Sequence, residues 1–511
     1  MAFSIIFHII LTIFPEILLT FFSSSDMVGL YSGIPAIHPI VWKGYTMEYT
    51  IVPSGTQHFD FIVCGGGPSG FAAALSAARK HLKTAIVERT GCLGGVSTNG
   101  CIPYLLAGRK LNPDTNRHVR VIGGIFDEVT DRLISEGHAI EPDTIDLSFN
   151  PFGWYPRMAS GIVVDENYYK ILLEEMCQKE GIRLFYNSDL IHAHVQDDRI
   201  RSVLIRNKDG IVELTAGLFA DCTGDGDLIA MSGCPYFKGR PSDGLTTPAS
   251  LEMQLDHVDG NALVRWQNEH NSPKLVEIIE QLKEKGIWNF PYEIFVCMQL
   301  MEKDVFLINT IRQTRVDGTS EASVSEALQQ GRKESLELFG IIRQYFPGFG
   351  NSRIRRISDW LGIRESRRLD GRYTISLEDA LSGKKYDDCI GATTYNFDLP
   401  DPLRPSHDPM MGDAKSPNAA RPHIVIRIPY RSLLPKNIRN LIGAGRLISA
   451  QREVLGSMRL MGNCFQTGQA AGTAARFAFD SGLDFAAVDT DSLRKTLFTD
   501  GVIDPDTLPF S

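Results

Sequence analysis

Residues 59–95 read FDFIVCGGGPSGFAAALSAARKHLKTAIVERTGCLGG. Asp60 to Cys64 is a short apolar run of strand type, and Gly65, Gly67 and Gly70 complete G-x-G-x-x-G where a helix should begin. The three glycines have separate duties: Gly65 permits a tight turn, Gly67 lets a pyrophosphate approach the backbone, and Gly70 brings the helix close to the strand. Free N–H groups at the helix start would receive the phosphate. The helix repeats small residues at Gly70, Ala73, Ala74 and Ala77, a face suited to close packing on a sheet. Thr84 to Val87 reads as the second strand and ends at Glu88, 18 residues after Gly70, where a carboxylate accepts the hydroxyl hydrogens of an adenosine ribose and repels a 2′-phosphate. Strand, turn, helix, strand and acid agree on a dinucleotide site, with FAD and NAD both open at this point.

Working outward, a chain of 511 residues with 43% hydrophobic residues can bury a large core, at about three domain equivalents. A formal charge of −9 without a long Lys/Arg run speaks against nucleic acid as the partner and for a small-molecule substrate; nothing in the pattern assigns an oligomeric state. Nine cysteines, at positions 64, 92, 101, 177, 222, 234, 297, 389 and 464, include no C-x-x-C pair. That is neither a disulfide framework nor the clustered thiolates of an iron–sulfur site, and no metal site is expected.

Residues 1–46 form an apolar leader. Ile5 to Phe22 is nearly all apolar, and no Lys or Arg precedes Lys43, so the basic start of a secretory signal is missing. The stretch reads as a signal or membrane anchor, or as a disordered or untranslated leader with Met27 or Met47 as the start. Membrane association would run only through residues 5–22; a cytoplasmic location is the main expectation, a secreted or anchored one the alternative.

After the opening unit, GCLGGVSTNGCIPYL (Gly91 to Leu105) is a glycine-rich loop that should lie beside the cofactor, and Arg89, Gly94 and Gly95 join its candidate contacts. It is similar to the loop of flavin-dependent disulfide reductases, which carries two Cys four residues apart. Here Cys101 is kept and Ser97 takes the place of the first, so the second thiolate that disulfide exchange requires is missing. Cys101 reads as a packed thiol or a flavin-facing functional one. Residues 106–160, rich in Pro and Gly, read as an insertion with a helix at 124–136. Asp165 caps a helix to about Lys179, and strands near Arg183, Leu190 and Arg201 suggest a β-meander that ends in LFADCTGDGD (Leu218 to Asp227).

The run DCTGDGDLIAMSGCP resembles the motif by which two-dinucleotide-binding-domain flavoproteins return to their cofactor. Asn440 to Ala478, NLIGAGRLISAQREVLGSMRLMGNCFQTGQAAGTAARFA, resembles the closing FAD motif of the FAD-dependent oxidoreductases, relatives of the flavin-carrying part of heterodisulfide reductase. The resemblance implies an α/β fold: a glutathione-reductase-like, Rossmann-type FAD-binding domain built from discontinuous segments, with an α+β substrate or cap domain. It implies Gly224, Asp225, Gly445, Arg446, Asn463 and Gln466 as cofactor contacts. Expected boundaries are 47–233 for the first FAD part, 234–422 for the cap, 423–480 for the second FAD part and 481–511 for a C-terminal extension. No second strand-G-x-G-x-x-G-helix unit follows, which favours FAD; NAD(P)H stays open as an external electron donor. Cysteine spacing speaks against an iron–sulfur cluster, although relatives carry one.

Between the FAD blocks, residues 259–285 read as helical, 295–299 and 305–309 as strands, and 323–345 as a long helix before Pro347. LGIRESRRLDGRYTISLEDAL (Leu361 to Leu381) is similar to a Gly-x-Arg-Glu-x-Arg run of the same family. Arg364, with Arg367 and Arg368, could bind a substrate carboxylate or polarise a carbonyl, against the plainer reading of a solvated helix with local ion pairs. His407 and His423 flank a Pro-rich loop, each a candidate general acid or base. The expected reaction is hydride transfer between FAD and a small organic substrate. The alternatives are an electron-transfer flavoprotein component of a heterodisulfide-reductase-like complex and a non-enzymatic flavin-binding protein.

Overall fold

The structure, a computed structural model, describes residues 37–42, 45–112, 114–145, 161–410 and 424–510. The apolar leader through residue 36 and His423 therefore lie outside the described residues, as does 146–160 of the expected insertion. Among the described residues no helix is long and apolar enough to cross a membrane. Residues 1–54 and 55–511 form two compact units. In the first, β1 (Ile37–Trp42) pairs antiparallel with β2 (Tyr45–Thr50).

The second unit begins with the opening motif: β3 (Gly55–Cys64), α1 (Pro68–Arg79) and β4 (Thr84–Val87). Then come α2 (Gly124–Ser135), α3 (Glu166–Lys179), β5 (Arg183–Phe185), β6 (Asp189–Gln196), β7 (Arg199–Asn207) and β8 (Gly210–Asp221). Asp165 caps α3 as expected, accepting from the N–H groups of Asn167 and Tyr168. The expected meander is only partly right. β6, β7 and β8 run antiparallel, but β5 pairs parallel with β4, because the α3 crossover returns the chain in the direction of β4.

In the cap, β9 (Met253–Asp256) is followed by α4 (Gly260–Glu269) and α5 (Val276–Glu284), not by one helix. Pro273 and the left-handed backbone of Asn271 and Leu275 (φ 45° and 54°) break the helical run. β10 (Cys297–Gln299) and β11 (Phe306–Ile308) precede the 25-residue α6 (Glu321–Tyr345) and β12 (Arg353–Ile357). These strands form a four-stranded sheet ordered β10-β11-β9-β12. Its core gathers Met253, Leu255, Phe306, Leu338, Ile342 and Phe349, all 1% exposed or less. The Gly-x-Arg-Glu-x-Arg run is not a solvated helix: Arg367–Leu369 is a strand, β13, paired with Tyr236–Lys238.

The chain then returns through β14 (Cys389–Thr393), β15 (Leu441–Gly443), α7 (Arg452–Met458), α8 (Met461–Asp480) and α9 (Thr490–Thr499). The main sheet has seven strands, β6-β7-β8-β3-β4-β5, with β15 also beside β8. The length of β8 explains the double pairing: residues 210–215 face β7 and residues 219–221 face β15. Val87, Cys64, Asp221 and Gly443 consequently lie side by side at the C-terminal ends of four parallel strands, the edge at which such sheets bind ligands.

The small residues of α1 serve the sheet and α8 together. A β-carbon on Gly70 would lie 1.7 Å from the Gly65 carbonyl oxygen, and one on Gly468 would lie 2.1 Å from that of Ser69. Gly472 meets Ala73 in the same way, and Ser76 Oγ hydrogen-bonds Thr473 Oγ1 at 2.8 Å. Any larger side chain at these positions separates the two helices.

Apolar residues of the expected insertion (Ile125, Phe126, Val129) and of the C-terminal extension (Leu493, Leu497, Val502) share one core with α1 and α8. Ile375, Ile390 and Phe397 pack there too, so the cap's own core draws on residues 249–361 and the chain from 375 onward belongs to the FAD-side core.

Candidate active site

A cavity of about 920 Å³ runs over the sheet edge and under the cap. Its sheet side is formed by the glycine turn. Gly67, at φ −67°, is the N-cap of α1, which has Pro68 in its first turn, no capping side chain and no acid in that turn. The N–H groups of the first helical turn are thus not taken by a capping side chain and are left for a ligand. A β-carbon on Gly67 would approach nothing nearer than Gly95 Cα at 3.9 Å, so the missing side chain leaves a cradle between the two glycines, and both line the cavity.

Glu88 closes the adjacent wall. Its Oε2 accepts the Gly66 N–H at 2.7 Å, and Oε1 accepts the Thr90 N–H and hydroxyl at 2.8 and 2.7 Å. These bonds fix the carboxylate on the cavity wall with acceptor positions to spare. Opposite, Arg446 donates to Asp225 at 2.6 Å and to Ser366 Oγ at 2.8 Å. Arg89 lies 4.1 Å over the Trp360 ring and 3.8 Å from Asp225. Gly224 brings its backbone against the Arg446 guanidinium, where a β-carbon would be 3.1 Å from Nη2.

Five expected contacts, Gly70, Gly94, Gly445, Asn463 and Gln466, are not on the cavity wall. Gly70 and Gly94 are packing positions, a β-carbon on Gly94 striking Thr98 at 2.6 Å. Asn463 and Gln466 turn from the cavity toward β14, where Asn463 donates to Ala392 O at 3.4 Å and Gln466 covers Gly391. Met461 and Cys464, on another face of α8, line the cavity instead. Gly445 (φ +87°) makes the turn that presents Arg446, and a β-carbon there would meet Ser69 Oγ at 2.6 Å.

At the cap end the cavity meets a buried polar group. Glu252, fully buried on the segment leading into β9, has no hydrogen-bond partner for either carboxyl oxygen, and burial pushes its pKa up to about 8 against the pull of Arg364 and Arg312. Arg364 donates to Pro248 O at 2.8 Å and reaches Asn309 Oδ1 at 3.4 Å; burial lowers its pKa to about 10, which leaves it charged. Arg312 donates to Pro405 O at 2.7 Å. His407 lines the cavity beside Asp408, whose pKa is raised to about 6 by burial and then by Asp398. Arg459 pairs with Asp398 at 2.8 Å.

The neighbours of Arg364 serve the frame. Glu365, 2% exposed, pairs with Arg368 and with Arg452 at 2.8 Å and accepts both the Thr247 N–H and hydroxyl at 2.9 Å. Arg367 pairs with Asp227 at 2.9 Å.

Cys101 is fully buried, in left-handed backbone (φ +58°), and is not on the cavity wall; burial raises its thiol to about 11. Ser97 is also buried. Sequence reasoning missed Glu252, Asn309, Arg312, Trp360, Met461 and Cys464. Only the alternation LEMQLD hinted at Glu252, and that pattern reads as a strand with a wetted polar face.

The family described as "FAD dependent oxidoreductase" matches residues 60–497. The chain belongs to this family. FAD is its cofactor, and the cradle at Gly67, the uncapped helix start and the fixed acid Glu88 fit a dinucleotide with ribose and pyrophosphate. When bound, FAD supplies the redox chemistry of this oxidoreductase. Among the described residues no group of three or more His, Cys, Asp or Glu is arranged to hold a metal ion.

Curated relatives of the oxidoreductase match only locally. A leghemoglobin reductase of Glycine max is 44% identical over 63 residues, 12% of this chain and 11% of the relative. A dihydrolipoyl dehydrogenase of Zymomonas mobilis is 60% identical over 48 residues, 9% and 10% of the two chains. The chain thus spans about a tenth of the length of these relatives. Among solved structures, a p-nitrophenol 4-monooxygenase of Pseudomonas putida is similar at 12% identity and TM-score 0.45, covering 87% of this chain and 86% of its own. A geranylgeranyl bacteriochlorophyll reductase-like protein of Thermoplasma acidophilum is similar at 12% identity and TM-score 0.43, covering 87% and 84%.

Proposed function

We propose that this oxidoreductase transfers a hydride between FAD and a small organic substrate admitted at the cap end of the cavity. One observation carries the reading: a single cavity borders both the dinucleotide elements (Gly67, Glu88, Arg446) and the buried cap cluster (Glu252, Asn309, Arg364). In this reading the pyrophosphate passes between Gly67 and Gly95, Glu88 holds the adenosine ribose, and Arg446 with Asp225 fixes the return loop beside the cofactor.

The residues at the cap end would orient the substrate and exclude water. Arg364, charged and buried, stabilises negative charge on a substrate oxygen, because a fixed cation in a low-dielectric wall needs no reorganisation to act. Glu252, Asp408 and His407 are among the titratable groups on that wall.

Anaerobic titration of the purified holoenzyme with small organic donors tests the reading. Bleaching of the flavin absorbance by a donor, lost in Arg364→Gln with FAD content unchanged, supports it. Stoichiometric iron on metal analysis, with no bleaching by any donor, would replace it with the electron-transfer alternative.

A further inference from the structure

Glu252 is fully buried, borders the cavity and has no hydrogen-bond partner for either carboxyl oxygen. Ser250 Oγ is close enough to Glu252 to favour its ionised form slightly, but it gives its hydrogen to Asn309 Oδ1 at 3.1 Å. The charged groups that act on Glu252 are Arg364 and Arg312, and neither forms a hydrogen bond with it. Glu252 also acts weakly on the Cys101 thiol, whose neighbour Arg356 is already paired with Glu166 at 2.7 Å. Two cations therefore flank a carboxylic acid that does not neutralise them, at the end of a cavity open to a ligand.

Asp398, on the same cavity wall, also acts on Arg364 but is paired with Arg459, so an anion that pairs directly with Arg364 and Arg312 would relieve the cost of burying them. We propose that the cap end of the cavity is a carboxylate-binding site in which the Arg364 and Arg312 guanidinium groups hold the anion beside Glu252. Guanidinium groups are suited to this because their planar donors match the two oxygens of a carboxylate. Once Glu252 ionises it competes with the ligand for the same two cations, so binding above that point takes one proton onto the Glu252 carboxyl. The substrate class is then an organic acid, and the inference rests on the hydride-transfer reading only in calling that ligand a substrate.

Other groups near the site titrate elsewhere or can be told apart. Asp398 is paired with Arg459, and Asp408, raised to about 6 by burial and then by Asp398, is ionised at the alkaline end where the proton uptake is read. Burial raises Cys101 to about 11. Lys274, lowered by burial and then by Arg312, and Arg364, lowered by burial to about 10, are cations whose deprotonation would mimic the effect. Glu252→Gln separates them from Glu252, because a loss of affinity driven by either cation persists in that variant.

The experiment is calorimetric titration of the FAD-loaded protein with benzoate and with succinate, and with benzamide as the uncharged control. It runs from pH 6.5 to 9.5 in pairs of buffers that differ in ionisation enthalpy and carry no carboxylate or phosphate. The expected result is binding of a carboxylate and not of benzamide, with no proton uptake at the acid end and uptake approaching one proton per site at the alkaline end. Affinity should fall about tenfold per pH unit once Glu252 ionises. Glu252→Gln, which keeps the side-chain shape, should abolish both the uptake and the fall. Arg364→Gln should weaken binding by about 30-fold or more.

Failure of both carboxylates to bind the FAD-loaded protein overturns the site, as does binding whose proton uptake survives in Glu252→Gln. Flavin content, read on the same samples, keeps the two readings apart. Protein that binds carboxylates with proton uptake but is not bleached by any donor sinks the hydride-transfer reading alone.

Discussion

Arg446 donates to Asp225 at 2.6 Å, and this one ion pair joins the loop after β8 to the loop after β15, two chain segments 221 residues apart. Both side chains are largely buried, at 15% and 9% exposed, and the Arg446 guanidinium also reaches Ser366 Oγ beside β13. Three separate returns of the chain are tied at one point of the cavity wall. Arg446→Met removes the tie and leaves Asp225 with Arg89 at 3.8 Å. Breaking a mostly buried pair in this way should cost about 3 kcal/mol, read from urea unfolding. A loss below about 0.5 kcal/mol would show that the pair does not organise the site.

Glu88 is held by three hydrogen bonds from Gly66 and Thr90, so its geometry does not depend on a ligand. Glu88→Gln keeps the side-chain volume and an acceptor for Gly66 while removing the charge. Loss of charge-assisted hydrogen bonds to the ribose should weaken FAD retention by about 1 to 3 kcal/mol, with a fall in melting temperature from the Thr90 N–H that the amide nitrogen cannot accept. Unchanged FAD affinity in equilibrium dialysis would put the ribose elsewhere.

Glu252 links stability to pH. Its folded pKa of about 8 lies above the ordinary 4.5, so between those values the native chain holds a proton that the unfolded chain has released. The stability it allows is fully present below pH 4.5 and is lost as pH rises toward 8. The urea midpoint of Glu252→Gln relative to wild type should therefore climb across that window and level off beyond it. A constant difference at every pH would mean that Glu252 ionises normally.

Cys101 lies off the cavity wall and its thiol is raised by burial, so it is not poised as a thiolate. Cys101→Ser should retain turnover in the flavin bleaching assay. A large drop in turnover with unchanged stability would give the thiol a role the geometry does not indicate.

The dinucleotide half was legible because its constraints are local: each glycine's duty follows from a turn or a close approach, and these recur in sequence as G-x-G-x-x-G. Small residues spaced along α1 and α8 likewise announced close packing, although not that the two helices pack on each other. The cap-end site was harder to read. Glu252 follows the polar phase of an alternating strand, and only folding, which covers that side chain completely, turns it into a buried acid. The choice between Asn463 and Gln466 on one side of α8 and Met461 and Cys464 on the other is a rotation of the helix, fixed by where Gly468 and Gly472 meet α1. The ion pairs of Glu365 show the same limit, since the run that resembles a solvated helix is an extended segment held by Arg452 from a distant helix.

The most direct test of the account uses Gly67→Ala, with FAD released by denaturation and counted per chain. A β-carbon at this extended position meets only Gly95 Cα at 3.9 Å, so the variant should fold with an unchanged melting temperature, unlike Gly70→Ala, whose methyl group would strike the Gly65 carbonyl at 1.7 Å. The methyl group would nevertheless fill the cradle assigned to the pyrophosphate. The account predicts one FAD per chain in the wild type and a loss of about tenfold or more in flavin affinity for Gly67→Ala. Equal flavin content and affinity in the two proteins would contradict it.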